Sequence, residues 1–211
     1  MAKQESVNTK QKLISAAKKL FAQKGFKETT IKDLVCEAGV NASLVSYHFG
    51  GKEGLYKACI GQAAYERLKV TEKILKPPKS EEEFKLRLGL YIQDMLEFYV
   101  EEPELTSIIH REFEMNTPAL KDVFEDTFLK TFLILKDYIE KAQGQGVVST
   151  HRDSKIVTSM FFAYLTHLAR MDHLTKEYFQ LSIRDKTYQD QVSEQMLEIF
   201  WNGIKSGGNK I

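Results

Sequence analysis

Apolar residues recur every three or four positions along most of this 211-residue chain, which is the spacing of amphipathic α-helices. No segment shows the strict alternation of a half-buried strand, and no internal repeat is evident. The stripes predict about nine helices, near residues 9–24, 30–38, 41–49, 51–75, 80–102, 103–113, 117–143, 153–173 and 188–204. The pattern therefore predicts an all-α fold.

Capping and helix-breaking residues mark the ends of these helices. Suitable N-caps precede several of them, namely Thr9, Thr30, Ser80, Thr117 and Asp153, and Pro118 suits a first helical position. Lys24–Gly25–Phe26, Pro77–Pro78 and Gly144 are expected to end helices. Residues 1–8 are expected to form a disordered basic arm, residues 174–186 a polar connection, and Gly207–Gly208 a free C-terminus.

Residues 30–52 contain two short predicted helices separated by a tight turn. Thr30, with Asp33 three residues later, forms a weak capping box, and Gly39 suits the left-handed end of the first helix. Asn41 or Ser43 can cap the second helix. Its inward residues are Leu44, Val45 and Phe49, and its outward residues are Ala42, Ser43, Ser46 and Tyr47. This is the helix-turn-helix pattern, whose second helix enters the major groove of DNA.

Charge is distributed unevenly along the chain. Residues 1–60 hold ten lysines, no arginine and five acidic residues, a net charge of +5, whereas the whole chain carries only +1. The remainder is therefore at −4. We call residues 1–60 the head. A basic head followed by an acidic remainder indicates that only the head contacts phosphate. A solvated lysine-rich surface is the alternative interpretation.

Patterns for catalysis and metal binding are not evident. None of the five histidines pairs with another at the four-residue spacing of a helical metal site, and no phosphate-binding loop or serine nucleophile elbow is present. We expect no enzyme activity, metal or cofactor. Cys36 is expected to be a small buried residue. The polar start and the lack of a twenty-residue apolar run predict a cytoplasmic protein with no membrane partner.

Short motifs follow one another in a characteristic order between Lys10 and Leu55. They are Leu13–Ile14, Ala17, Leu20–Phe21, Lys24–Gly25–Phe26, Thr29–Thr30–Ile31, Ala38–Gly39–Val40, and Tyr47–His48–Phe49 followed by Gly50–Gly51–Lys52–Glu53–Gly54–Leu55. In this order they resemble the DNA-binding domain of TetR-type transcriptional regulators. Ser46 departs from the pattern, because the family usually has an aromatic residue there.

The resemblance implies two domains. An N-terminal three-helix helix-turn-helix domain at residues 1–55 would be joined by a long helix to a C-terminal helical domain at residues 56–211. In this family the second domain binds ligands and forms the dimer.

Candidate DNA contacts divide into phosphate and base contacts. The phosphate candidates are Thr30, Tyr47, His48 and Lys52, the last because similar lysines in the family contact the backbone. The base candidates are Lys32, Asn41, Ala42, Ser43 and Ser46. The alternative for His48 is a packed, hydrogen-bonded side chain, and the alternative for Lys52 is an exposed lysine at a helix start without a DNA contact. Because residues 1–60 contain no arginine, we expect DNA shape, lysine contacts and apolar contacts to carry much of the specificity.

The last two long helices are apolar over more than one stripe. A single recognition helix touches few bases, so a homodimer on an inverted-repeat operator in double-stranded DNA is expected. Two helices from each copy would form a four-helix bundle, which the resemblance also implies. The predicted interface is Met160, Phe161, Tyr164, Leu165, Leu168, Val192, Met196, Ile199 and Phe200. Packing within one subunit is the competing interpretation for about half of these residues.

The central helices are rich in large aromatic residues, which usually form a core. In the resembled family the same helices surround an inducer cavity, so a small apolar or aromatic effector is expected. Its predicted lining is Tyr91, Met95, Phe128 and Phe162, with His110 or Arg111 as polar anchors. The chain is thus predicted to be a ligand-responsive regulator, most often a repressor in this family. The alternatives are control by a protein partner, an activator, and a helical module without DNA binding.

Overall fold

The chain is almost entirely helical. The structure, a computed structural model, describes residues 2–115 and 120–206. The helices are α1 Ala2–Glu28, α2 Ile31–Ala38, α3 Ser43–Phe49, α4 Lys52–Ile74, α5 Glu81–Glu101, α6 Pro103–Met115, α7 Lys121–Val123, α8 Leu129–Gly144, α9 Ser154–Phe179 and α10 Lys186–Ile204. A π-helical turn, Phe124–Phe128, links α7 to α8 without a break. With that run counted once, nine helices form the described part, and the all-α prediction is confirmed.

The first helix differs from its prediction at its beginning. Residues 1–8 were expected to be an irregular arm, but α1 begins at Ala2. No glycine or proline occurs before Gly25, and the segment is rich in good helix formers, so nothing in it stops a helix. Gly25 does interrupt the helix, as predicted. Its φ of 81° is a left-handed backbone conformation that favours glycine.

The middle of the chain contains a π-helical turn that the periodicity did not indicate. Thr117 and Pro118, expected to open this helix, lie outside the described residues. A π turn shifts the helical register by one residue. The aromatic stripe through Phe124 and Phe128 therefore does not continue in phase into α8, and Phe124 is exposed.

Side-chain caps open the two last long helices. The Asp153 carboxylate accepts from the backbone N–H of Lys155 (2.8 Å) and Ile156 (3.1 Å), as its position predicts. Asp185 caps α10 in the same way at Tyr188. The predicted connection at 174–186 is shorter than expected, because α9 continues to Phe179 and ends at Gln180 in a left-handed conformation.

The structure divides into two compact units. The first comprises Met1–Glu66 and Glu104–Thr127 and the second Arg67–Pro103 and Phe128–Ile211, as far as these ranges are described. The first unit thus contains α6 as well as the predicted helix-turn-helix. This division is one of packing, and the functional boundary at residue 55 stays a prediction. No helix in the described ranges is long and apolar enough to cross a membrane.

The core of the second unit is built from α5, α8, α9 and α10 around stacked aromatic rings. Phe84 stacks on Tyr138 with ring centroids 5.0 Å apart, and Trp201 packs on Phe84 at 5.6 Å. The Tyr138 hydroxyl donates to the Phe84 carbonyl at 2.9 Å, so this buried polar group is satisfied. Burial raises the pKa of the Tyr138 phenol, which keeps the donor protonated.

Replacement of the α9 cap tests the local folding argument. We expect Asp153→Ala to lower the free energy of unfolding by about 1 kcal/mol, because two backbone N–H groups lose their acceptor. Asp153→Ser should restore most of the loss, since serine is an equally good cap. Urea denaturation followed by circular dichroism measures both changes. An alanine variant as stable as the parent would contradict the assigned cap.

Candidate nucleic-acid interface

A reciprocal capping box fixes the start of α2. The Thr30 hydroxyl accepts from the Asp33 N–H at 3.1 Å, and the Asp33 carboxylate accepts from the Thr30 N–H at 3.0 Å and from its hydroxyl at 2.8 Å. The hydrogen bond from the Thr30 N–H holds the pKa of the Asp33 carboxyl below its usual range. The capping box predicted at these residues is present. A phosphate contact by Thr30 stays a prediction, and it would have to draw the hydroxyl proton away from Asp33.

The turn between α2 and α3 depends on one glycine and one asparagine. Gly39 has φ 64° and ψ 40°, and its N–H donates to the Cys36 carbonyl at 3.3 Å. The Asn41 side-chain oxygen accepts from the Ser43 N–H at 3.0 Å and from its hydroxyl at 3.1 Å. Asn41, rather than Ser43, therefore supplies the hydrogen bond at the start of α3. With this oxygen occupied, Asn41 cannot pair with adenine through both side-chain atoms unless Ser43 releases it.

The outer face of α3 is exposed. Asn41, Ala42, Ser43 and Ser46 all lie open to solvent, and the Tyr47 side chain is 80% exposed. Val45 is buried beneath them, and Leu44 and Phe49 are half-buried. The Tyr47 and His48 rings meet edge to face at 4.9 Å, with His48 half-buried. The sequence thus predicts the inward and outward sides of α3 correctly, while contact of the outward side with DNA stays a prediction.

Cys36 lies on the opposite side of α2 from the one predicted. It is exposed, so the expectation of a small buried residue is wrong. Leu34 is the fully buried residue of α2, and a position two residues further along a helix points about 200° away. Because α2 is short, its few apolar residues did not define which side of the helix faces inward.

Several lysines of the head are engaged by neighbouring acids. Lys19 lies 2.6 Å from Glu37, Lys24 lies 3.7 Å from Asp33, and Lys57 lies 3.0 Å from Asp122. Lys32 is exposed beside the turn. Glu37 and Asp33 are already counted in the formal +5 of residues 1–60, so of these three pairs only the one with Asp122 lowers that charge further.

Lys52 has a structural role that the sequence did not indicate. Its ammonium donates to the Phe26 and Thr29 carbonyls, both at 2.9 Å, and lies 4.4 Å from the centroid of the Phe26 ring. A lysine near the end of a helix satisfies terminal carbonyls and complements the helix dipole. The ammonium therefore connects the start of α4 to the end of α1. Its contact with phosphate stays a prediction.

Helix α6 holds α1 and α4 through three side chains that were not singled out for this purpose. The Arg111 guanidinium donates to the Phe21 carbonyl at 2.9 Å and to the Ala22 carbonyl at 2.8 Å. The Tyr56 hydroxyl donates to Glu112 at 2.6 Å. Burial, and then this carboxylate, raise the pKa of the Tyr56 phenol. Such bonds have no sequence signature beyond a charged pair in an amphipathic helix.

The residues predicted to bind a ligand divide between the two units. Tyr91 is fully buried in the second unit, where Met95 and Phe162 pack against the core and Phe128 is half-buried. His110 and Arg111 belong to the first unit. Since both Arg111 terminal nitrogens bind α1 carbonyls, its observed role is structural, and ligand binding by this residue and by His110 stays a prediction.

The predicted dimer residues separate into buried and exposed sets. Phe161, Leu165, Val192 and Met196 are buried in the second unit, and Leu168 and Phe200 are half-buried. Met160, Tyr164 and Ile199 are exposed, at 64%, 46% and 70%. Packing within one chain, the competing interpretation, thus accounts for the buried set. The exposed set is available to a partner.

Two short capped helices, a glycine turn and an exposed polar face on the second helix define a helix-turn-helix DNA-binding protein. The comparisons agree with this class. Residues 13–59 match the family model described as bacterial regulatory proteins, tetR family. This match confirms the TetR resemblance of the N-terminal residues.

The chain is similar to other regulators over most of its length. It is 27% identical over 199 residues to the probable HTH-type transcriptional regulator YttP of Bacillus subtilis, a match covering 94% of this chain and 91% of YttP. The B. subtilis regulator FadR, solved with stearoyl-CoA, has a TM-score of 0.74 at 16% identity, covering 92% of this chain and 98% of that one.

A second solved neighbour is SmeT, which is the repressor of the Stenotrophomonas maltophilia multidrug efflux pump SmeDEF. Its complex with triclosan has a TM-score of 0.71 at 15% identity and covers 96% of this chain and 94% of that one. At such identities the two structures show that the fold is shared. The family match and the similarity to YttP support a TetR-type DNA-binding transcriptional regulator, and the TetR resemblance is confirmed.

Replacement of Lys52 separates its structural role from the predicted one. We expect Lys52→Ala to lower the free energy of unfolding by about 2 kcal/mol, because two carbonyls lose a charged donor. Lys32→Ala, at an exposed lysine of the same head, should leave stability unchanged. Thermal and urea unfolding measure this difference.

DNA binding of the same two variants at several salt concentrations supplies the second readout. A salt slope flatter by about one unit identifies a phosphate contact at the replaced lysine. An unchanged melting temperature for Lys52→Ala would contradict the structural role.

Proposed function

We propose that this regulator is a homodimeric repressor that binds an inverted-repeat operator and leaves it when a small apolar or aromatic ligand binds. The exposed face of α3 carries the proposal. It presents short polar side chains and Tyr47 above a buried Val45, and the capping box at Thr30 and the turn at Gly39 fix its backbone. Such a face fits the major groove, where hydroxyl and methyl groups contact base edges.

The homodimer is proposed from the exposed apolar residues of α9 and α10. On α9, Ile156, Met160 and Tyr164 follow one another at four-residue spacing, and Ile199 is exposed on α10. A contiguous apolar stripe of this kind marks an interaction surface. Pairing with the same stripe of a second copy is isologous, and it supplies the two recognition helices that half-sites about 34–36 Å apart require.

Ligand control is proposed from the resemblance and from what the neighbours bind. FadR and SmeT were solved with stearoyl-CoA and triclosan, both of which have large apolar parts. In this chain the aromatic residues Phe132, Phe161 and Phe162 lie together, with centroids 5.7 to 6.1 Å apart in successive pairs. We propose that a ligand among such residues favours a conformation in which the recognition helices no longer match the operator spacing, with α4 transmitting the change.

A charge placed on the α3 face tests DNA binding. We expect Ser46→Asp to weaken binding at least tenfold, because its carboxylate would enter the major groove and be repelled by the phosphates on both sides. Ser107→Asp makes the same exposed helical change on α6 and should bind normally. Duplexes selected from a random pool by the parent protein, which we expect to be inverted repeats, provide the substrate for gel-shift titration. Equal binding by both variants would reject α3 as the recognition helix.

A charge placed on the α9 stripe tests the dimer. We expect Met160→Glu to give a monomer in size-exclusion chromatography with light scattering, because two carboxylates would meet across the symmetry axis. Operator affinity should then fall about a hundredfold, since the two half-sites would bind separately. Leu86→Glu is a matched control, because Leu86 on α5 is also 64% exposed. Dissociation of the Leu86 variant alone would place the interface elsewhere.

A further inference from the structure

The second unit contains buried hydrogen-bond donors that have no acceptor among the residues that the structure describes. They belong to the Arg67–Tyr91 cluster, which we define as Arg67 and Thr71 on α4 and Tyr91, Asp94 and Tyr99 on α5. The Tyr91 side chain is fully buried, and its hydroxyl interacts with the Thr71 hydroxyl but forms no hydrogen bond of good geometry with any residue that the structure describes. The Arg67 Nε is likewise buried without an acceptor in the described part.

Other polar groups of the cluster interact with one another. A terminal nitrogen of Arg67 forms an ion pair with Asp94, and the guanidinium carbon lies 5.2 Å from the centroid of the Phe98 ring. The Thr71 hydroxyl donates to the Arg67 carbonyl at 2.9 Å. Tyr99 also has a polar partner. Two donors, Arg67 Nε and the Tyr91 hydroxyl, are therefore left over where polar groups are normally paired.

The surroundings of the Tyr91 ring are apolar. The Tyr91 ring stacks on Phe161 with centroids 5.8 Å apart, and Phe162 packs against Phe161 at 5.7 Å. Met95 and Phe98 lie within one helical turn of Asp94 and pack on the same core. Leaving a buried donor unpaired is costly, and a ligand oxygen that accepts from it removes that cost. The cluster thus suits a molecule with an apolar body and an oxygen acceptor.

The charges around Arg67 favour an uncharged ligand oxygen over a carboxylate oxygen. Asp94 already neutralises the guanidinium, and Glu97 and Glu101 add to the negative field there. A ligand carboxylate would compete with Asp94 and meet that field, whereas an uncharged carbonyl needs only the two free donors. We propose that the effector is an uncharged apolar or aromatic carbonyl compound, whose oxygen accepts from Arg67 Nε and the Tyr91 hydroxyl. This inference rests on the proposed ligand control.

Two matched tyrosine variants test the free donor before any ligand is added. Tyr91→Phe removes an unpaired hydroxyl and should raise the melting temperature of the unliganded protein. Tyr138→Phe removes a hydroxyl that donates to the Phe84 carbonyl at 2.9 Å and should lower it. If Tyr91→Phe also lowers the melting temperature, water or protein already satisfies that hydroxyl, and the inference is wrong.

Three compounds with one skeleton test the ligand class. We expect 2-acetylnaphthalene to bind more tightly than 2-ethylnaphthalene, which lacks the oxygen, and than 2-naphthoate, which is charged. Calorimetry or quenching of intrinsic fluorescence gives the dissociation constants. Tyr91→Phe should weaken the ketone about tenfold and leave the hydrocarbon unchanged, and Tyr138→Phe should change neither. Equal binding of ketone and hydrocarbon, preference for the carboxylate, or no binding of the ketone would overturn the inference.

Measuring operator binding in the absence of any compound distinguishes a failure of this inference from a failure of the proposed function. A protein that retains its selected duplex but fails the ketone test remains a dimeric DNA-binding repressor with a different effector. A protein that binds the ketone but no duplex retains the assigned site and loses the proposed function.

Discussion

The head of this regulator depends on backbone carbonyls at the end of α1 that accept hydrogen bonds from side chains elsewhere in the chain. Arg111 binds the Phe21 and Ala22 carbonyls, Lys52 binds those of Phe26 and Thr29, and the Thr29 hydroxyl donates to Gly25 at 2.7 Å. A helix end leaves its last carbonyls without intrahelical donors, and cations are favoured there by the helix dipole. The left-handed Gly25 concentrates these acceptors at one place, so α4 and α6 are fixed to the same point on α1.

Local features of the head and body could be predicted from the sequence because they depend on neighbours along the chain. The capping box at Thr30, the turn at Gly39 and the cap at Asp153 involve residues two to four positions apart, and each is present. The bond from Arg111 to Phe21 joins residues 90 positions apart, and its acceptor is a backbone atom that every residue has. No residue type marks such an acceptor, so neither this bond nor the contacts of Lys52 could be predicted.

Periodicity also could not separate a core from an interface. Phe161 and Met160 are consecutive residues of a helix that is apolar over more than one stripe, yet the first is fully buried and the second is 64% exposed. Successive helical positions differ by about 100°, so a helix with two apolar faces assigns one to its own core and leaves the other for a partner. Which face of α9 is buried depends on how α9 packs against α5 and α8, and only the structure shows this packing.

Two of the buried tyrosines, Tyr91 and Tyr138, differ in a way that bears on ligand binding. Both lie on amphipathic stripes, stack on a phenylalanine and have the pKa of the phenol raised by burial. Of these two, only Tyr138 has a hydrogen-bond acceptor among the described residues, the Phe84 carbonyl. A phenylalanine at position 91 would pack equally well without an unpaired donor, so packing gives no reason for the Tyr91 hydroxyl. The hydroxyl has a role if a ligand brings an acceptor for it. The hydrogen bond between them then stabilises the conformation of the protein that binds the ligand.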